Sequence, residues 1–291
     1  MSRARPAART VWAAAAALVL MPALPAEVHA QWAAGRGKYW AKLSAFHHQT
    51  RDQYRSDGVK RAFLNTDAES RSQALFLDAL YGVTDRVDVW VQVPYFNLNF
   101  DDAADRRHSA GVGDIRVSAR YNLFRFRGGS IPISVRGTVK IPVVDFPIDA
   151  EVIPVGEGQW DYEAWLEAGW SLWPLPLYSV VWLGYRWRAR NEKTTRDPGD
   201  ERMFLAEVGG AFAGPLGGKV VLDGILGTNG SIQGVRVSGD EREIVYLQPV
   251  LTWAATPTTT LEIGMRIPLR GKNFPAGPQY TVGLYFRPAG S

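Results

Sequence analysis

The stretch that decides the fold of this chain reads GVGDIRVSARYNLFRFRGGSIPISVRGTVKI, from Gly111 to Ile141. From Asp114 to Leu123 every second residue is polar and the residues between them are apolar, and the same alternation resumes from Ile133 to Ile141. A period of two places successive side chains on opposite faces of a β-strand. We therefore predict two antiparallel strands joined by a tight turn at 126–130, each with one apolar face and one charged face.

The same alternation recurs to the end of the chain, in segments of roughly the 10 residues that a tilted membrane β-strand requires. Aromatic residues recur at the segment margins, which is typical of the interfacial girdles of outer-membrane barrels and is not required of a soluble antiparallel sheet. We expect an all-β fold, a transmembrane antiparallel up-and-down β-barrel of about 12 strands. The predicted strands are 38–49, 73–81, 87–95, 114–123, 133–141, 161–172, 181–189, 202–212, 219–226, 243–253, 261–269 and 279–286.

Long and short connections are predicted to alternate between these strands. Bacterial barrels have short periplasmic turns and longer outer loops, so this order places both chain ends on the periplasmic side. Two polar segments, Asn97 to Ala110 and Val143 to Gln159, are predicted to be long outer loops. The short connections lie near Gly82, Phe126, Trp173, Gly214 and Ala255, and the longer ones near Arg51, Asn97, Val143, Asn191, Gly227 and Arg270.

The first thirty residues have the pattern of a secretory signal peptide. Three arginines fall within the first nine residues, an Ala-rich apolar run extends from Val11 to Leu24, and small residues surround Ala30. The run is shorter than the roughly 20 residues that a membrane-spanning helix needs, and Pro22 interrupts it. We expect a signal peptide at 1–30 and a single barrel domain at 31–291, without a transmembrane helix.

Composition excludes several classes of function. The formal charge is +4, and without residues 1–30, which hold three Arg and one Glu, it is +2. So small an excess provides no large basic surface, and nucleic acid is not an expected partner. The chain has no cysteine, which excludes disulfides and Cys-ligated metals and suits export through an oxidising compartment.

Three short motifs carry a resemblance to a known family. Tyr81 to Asp88, Gly111 to Ile115 and Gly156 to Trp160 resemble segments of the outer-membrane transporter-like proteins grouped as the MetA-pathway of phenol degradation family. The resemblance spans most of the mature chain. It implies an outer-membrane barrel that passes small compounds, often aromatic or apolar, and it supplies no catalytic residues.

Charged and aromatic residues at the inward positions are the candidate transport site. Opposite charges fall on neighbouring strands, so one interpretation is a salt-bridge lattice that fills and stiffens a narrow lumen. The other is that unpaired members of the group Arg116, Arg120, Arg136 and Lys140 attract anionic solutes such as aromatic carboxylates. The inward tryptophans either form a path for aromatic rings, with cation–π contacts to arginine, or pack as a plug. The predicted lumen-lining residues are Asp88, Trp90, Arg116, Arg120, Arg136, Lys140, Glu163, Trp165, Glu167, Trp182, Arg186 and Arg188.

No residue pattern singles out catalytic or metal chemistry. His47 and His48 are adjacent, so on a strand they point to opposite faces and do not chelate one metal together. No motif brings a serine, a histidine and an orienting group together, as a hydrolase would need. We expect no enzyme activity, no catalytic residue, no metal and no cofactor.

The sequence predicts a monomeric outer-membrane barrel of a Gram-negative envelope, acting as a passive channel or transporter for small molecules, aromatic or apolar ones included. The alternatives are an outer-membrane lipid hydrolase and a structural or secretion-accessory barrel without an open pore. The expected partners are the lipid bilayer, a small-molecule substrate and, during biogenesis, the outer-membrane assembly machinery. The last follows from the closing segment Gln279 to Phe286, which resembles an assembly signal because an aromatic residue follows Gly283 by three positions.

Overall fold

A computed structural model of the chain describes residues 34–126, 131–143, 154–172 and 174–288. The predicted signal peptide and most of the predicted turn at 126–130 lie outside the described residues. Every regular element in the described part is a β-strand. No helix in that part is long and apolar enough to cross a membrane.

The strands are distributed along the whole described chain. The long ones form the barrel and the short ones lie near the long-loop end. In chain order they are β1 (Tyr39–Thr50), β2 (Asp52–Tyr54), β3 (Lys60–Ala62), β4 (Glu69–Gly82), β5 (Val87–Asp101), β6 (Arg106–Val112), β7 (Ile115–Phe126), β8 (Ile131–Ile141), β9 (Asp161–Ser171), β10 (Leu177–Arg188), β11 (Arg196–Asp197), β12 (Glu201–Ala213), β13 (Leu216–Gly227), β14 (Ser231–Ile232), β15 (Val235–Arg236), β16 (Glu243–Thr256), β17 (Thr259–Lys272), β18 (Phe274–Ala276) and β19 (Gln279–Phe286).

The long strands close into one antiparallel barrel. Each pairs with its neighbour along the chain, and β1 pairs with both β4 and the last strand, β19, which closes the ring. Strand β5 pairs with β7 through its first half and with β6 through its second half, so β6 and β7 are two parts of one barrel strand. Counted in this way the barrel has 12 strands, which confirms the predicted fold, and each predicted strand corresponds to an observed one.

The barrel is apolar outside and polar inside. The outward residues Leu43, Leu77 and Leu251 are about half exposed, whereas the inward residues Asp88 and Lys140 are almost fully buried. This distribution is the reverse of that in a soluble protein and suits a wall that faces hydrocarbon outside and a polar lumen inside.

The segment 97–110 forms a β-hairpin, so the prediction of a long loop there was wrong. Strand β5 continues to Asp101 and returns as β6, and the turn is stabilised by Asp102, whose side chain accepts hydrogen bonds from the backbone N–H groups of Ala104 and Asp105. Phe100 packs edge-on against Phe63 at 5.4 Å. Strands that rise above the bilayer no longer need an apolar face, which is why alternation failed to identify this one.

Candidate functional site

Two adjoining cavities occupy the lumen towards the long-loop end. The outer cavity has a volume of about 680 Å³ and is bounded by loop residues near 154–159, 191–199 and 273–274. The inner cavity has a volume of about 230 Å³. The residues that line both of them are Gln92, Arg116, Arg186 and Ile225. The boundary between the two cavities therefore carries two arginines.

The deepest charges of this part of the lumen are paired across neighbouring strands. Arg120 of β7 contacts Asp88 of β5 at 2.7 Å, and their Cα atoms are register partners. Arg120 also lies 3.7 Å from Glu167 of β9, which accepts a hydrogen bond from Arg136 at 2.5 Å. All four side chains are at least nine-tenths buried. These four side chains form a continuous network of ion pairs across β5, β7, β8 and β9.

A second chain of ion pairs connects β9, β10 and β12. Arg186 contacts Glu163 at 2.8 Å on one side and Glu201 at 2.6 Å on the other. Glu201 is also 2.7 Å from Arg242, which lies just before β16. One arginine thus joins three strands, because the register brings Arg186 opposite both Glu163 and Glu201.

The three predicted inward tryptophans converge on one arginine. The guanidinium carbon of Arg136 lies 5.4 Å from the ring centroid of Trp90, 4.8 Å from that of Trp165 and 5.1 Å from that of Trp182. These distances are within the range of cation–π attraction. A Cβ at Gly184 would lie 2.5 Å from the indole of Trp165, so the ring rests against this glycine. The tryptophans form a cluster that lines the inner cavity.

Glu157 enters the lumen from a loop and meets three cations. Its carboxylate contacts Lys140 at 2.5 Å, Arg188 at 2.7 Å and Arg242 at 3.1 Å. Burial alone would raise the pKa of the Glu157 carboxyl, but Arg242, Arg188 and Lys140 together hold it well below its usual range. Glu157 is therefore an anion at neutral pH.

Arg116 differs from the other predicted cations. Within the described ranges it takes part in no ion pair and no side-chain hydrogen bond, although Lys140, its register partner on β8, contacts Asp114, Glu157 and Asp161. It lines both cavities. The Arg116 guanidinium therefore lies at the boundary of the two cavities without a direct ion-pair partner among the described residues.

The structure places all twelve predicted lumen residues on the inward face of their strands. Asp88, Arg120 and Glu167 line neither cavity, and the other nine line at least one. Sequence reasoning missed Glu157, Glu201 and Arg242. Glu201 directly precedes the predicted strand 202–212 and continues its pattern of inward-facing alternate residues, so a strand predicted one residue longer would have included it. Glu157 and Arg242 lie in connections, where no alternation predicts which way a side chain points.

The contacts of the described histidines bear on the alternative of a lipid hydrolase. His108 contacts the side chain of Asn97 at 3.0 Å, and the side chain of His48 is buried without a hydrogen-bond partner. Among the residues that the structure describes, no histidine is hydrogen-bonded to a serine hydroxyl, and no group of His, Asp and Glu could hold a metal ion.

Solved structures share the barrel architecture. The chain is similar to the "COG4313 outer membrane channel from Pseudomonas putida F1", with a TM-score of 0.75 and 16% sequence identity over 91% of this chain and 99% of that chain. It is also similar to the NanC porin, with a TM-score of 0.50 and 10% identity over 85% of this chain and 98% of that chain. At these identities the likeness concerns the fold.

Sequence comparison gives a family over nearly the whole chain. Residues 27–283 match the model of the family described as "Putative MetA-pathway of phenol degradation". No curated protein matches the chain. The match covers all of the barrel strands except the last residues of β19.

Proposed function

Since the chain belongs to the MetA-pathway of phenol degradation family, we propose that it is an outer-membrane channel for the passive movement of small molecules, with aromatic carboxylates as the solute class that its lumen suits best. The observation that carries this proposal is Arg116, which lines both cavities and has no ion-pair partner among the described residues. The barrel fold supports it, since the structure from Pseudomonas putida F1 that shares this fold is itself described as a channel.

The chemistry of the lumen favours an anion that carries a ring. A cation in a narrow passage with a low-dielectric wall raises the local concentration of anions. Arg116 provides this charge, and Trp90, Trp165 and Trp182 line the inner cavity beside it. A solute with a carboxylate and an aromatic ring matches both features.

A barrel without an open pore is the second candidate. The ion-pair network of Asp88, Arg120, Glu167 and Arg136 favours it, because the four buried side chains come from four adjoining strands of the wall and narrow the lumen. In a closed barrel of this kind, the lumen charges would stabilise the wall and Arg116 would bind no solute.

The test is the ion current through the purified protein, refolded and inserted into a planar lipid bilayer. We expect stable conductance steps that benzoate reduces and that benzamide, its neutral analogue of similar size, leaves unchanged. The exposed residue Arg106, which lines neither cavity, provides the matched control: Arg106→Gln should retain the benzoate effect. Absence of current from a correctly folded barrel, or equal effects of both solutes, would contradict the proposal.

A further inference from the structure

We propose that Lys140, Arg188 and Arg242 form a binding site for the carboxylate of a passing solute, and that Glu157 occupies this site when no solute is bound. This proposal rests on the proposed function and names the place in the lumen where an anionic solute stops. Glu157 would then act as a competitor tethered to the barrel by its own loop.

The three cations come from three different parts of the wall and meet at one carboxylate. Lys140 belongs to β8, Arg188 ends β10, and Arg242 directly precedes β16. Arg188 and Arg242 both contact Oε1 of Glu157, whereas Lys140 contacts Oε2. Charge-assisted bonds to both oxygens are the arrangement by which proteins recognise a carboxylate group of a ligand.

Glu157 differs from the other carboxylates around these cations because a solute can reach it. Its side chain is 32% exposed and borders the outer cavity, whereas those of Asp161 and Glu201 are at most 1% exposed. Asp161 and Glu201 begin barrel strands and are fixed by the register. Glu157 lies in the connection before β9, so it can leave the cations without breaking a strand pairing.

Two hydrogen bonds hold the backbone of Glu157 in place. The Glu157 N–H donates to Asp114 at 2.9 Å, and the side chain of Asn191 donates to the Glu157 carbonyl at 2.9 Å. A Cβ at Gly156 would collide with the carboxylate of Asp114, so the glycine permits this close approach. These contacts place the Glu157 side chain over the cations and leave its carboxylate on the cavity side.

Charge balance makes an exchange of carboxylates feasible. Five cations of this outer region face five carboxylates, so removing Glu157 leaves one cation in excess, and a solute carboxylate restores the balance. An excess buried cation is costly, which disfavours an empty site. The cations are Arg116, Lys140, Arg186, Arg188 and Arg242, and the carboxylates are Asp114, Glu157, Asp161, Glu163 and Glu201.

The test is equilibrium binding of benzoate to the refolded full-length protein in detergent, measured by isothermal titration with benzamide as the neutral probe. Glu157→Gln removes the competing charge, and we expect benzoate to bind roughly tenfold more tightly, because a site that is mostly occupied by its own competitor binds with reduced apparent affinity. Glu192, exposed in the next long loop, provides the control: Glu192→Gln should bind as the original protein does. Arg242→Gln should weaken binding.

Unchanged or weaker benzoate binding by a folded Glu157→Gln barrel would overturn the proposal. If that variant does not fold, Glu157→Asp is measured instead; its shorter side chain reaches the cations less well, so tighter binding is again expected and unchanged binding again contradicts the site. Binding does not depend on conduction. Tighter binding by a barrel that passes no current would support this site and contradict the channel, whereas a conducting barrel with unchanged binding would do the reverse.

Discussion

The deep and outer parts of the lumen differ in how their charged side chains are paired. In the deep part, Arg120 and Arg136 share Glu167, and all of these side chains come from barrel strands and are buried. In the outer part, Arg116 has no ion-pair partner among the described residues, and Glu157 comes from a loop. The difference suggests two roles for charge in this lumen, which the following predictions separate: pairs between strand residues would stiffen the wall, and groups from loops or without an ion-pair partner would meet solutes.

The largest expected effect is loss of stability on breaking the deep network. Glu167→Gln leaves Arg120 and Arg136 without their shared carboxylate, and removing one partner of a buried ion pair costs about 3–5 kcal/mol. We expect a loss of that size in the free energy of unfolding, measured by urea titration of the protein refolded in lipid vesicles.

The outer part supplies the control for that measurement. Arg116→Gln removes one charge from the same barrel without breaking an ion pair between described residues, so its loss in the free energy of unfolding should be clearly smaller than that of Glu167→Gln. If Glu167→Gln and Arg116→Gln lost equal amounts of unfolding free energy, the distinction between the deep and outer parts would not hold.

A smaller effect is expected where the tryptophans pack. Gly184→Val places a side chain where the Trp165 indole rests, and overpacking of a filled interior typically costs about 1–3 kcal/mol. The loss should appear in the urea titration, with a changed tryptophan emission spectrum. Gly137→Ala is the matched control, because nothing lies within 4 Å of a Cβ there. A Gly184→Val barrel as stable as the control would show that the cluster is loosely packed.

Much of the wall could be predicted from the sequence, because in a barrel strand one property, alternation, sets both the secondary structure and the direction of each side chain. Arg120 and Arg136 were assigned to the lumen in this way. Their pairing could not be predicted, because it depends on which residues the register places opposite one another. Arg116 and Arg120 are four residues apart on one strand and have the same parity, yet only Arg120 lies opposite an aspartate.

The connections were less predictable for a related reason. The residues from Asn97 to Ala110 are mostly polar because that hairpin is not required to meet lipid, and the polarity was interpreted as a loop. The segment around Glu157 shows no regular alternation of polar and apolar residues, so the sequence does not predict that the Glu157 side chain points into the lumen. The short motif Gly156 to Trp160 marked the segment as unusual, and the glycine before Glu157 is the residue that lets the loop approach Asp114.

The measurement that tests the central claim most directly is the reversal potential of the channel in a salt gradient across a planar bilayer, compared between the original protein, Arg116→Gln and Arg106→Gln. The account predicts anion selectivity in the original protein and in Arg106→Gln, and a clear loss of that selectivity in Arg116→Gln, because the neutral side chain no longer attracts anions at the boundary of the two cavities. An Arg116→Gln channel with the reversal potential of the original protein would contradict it.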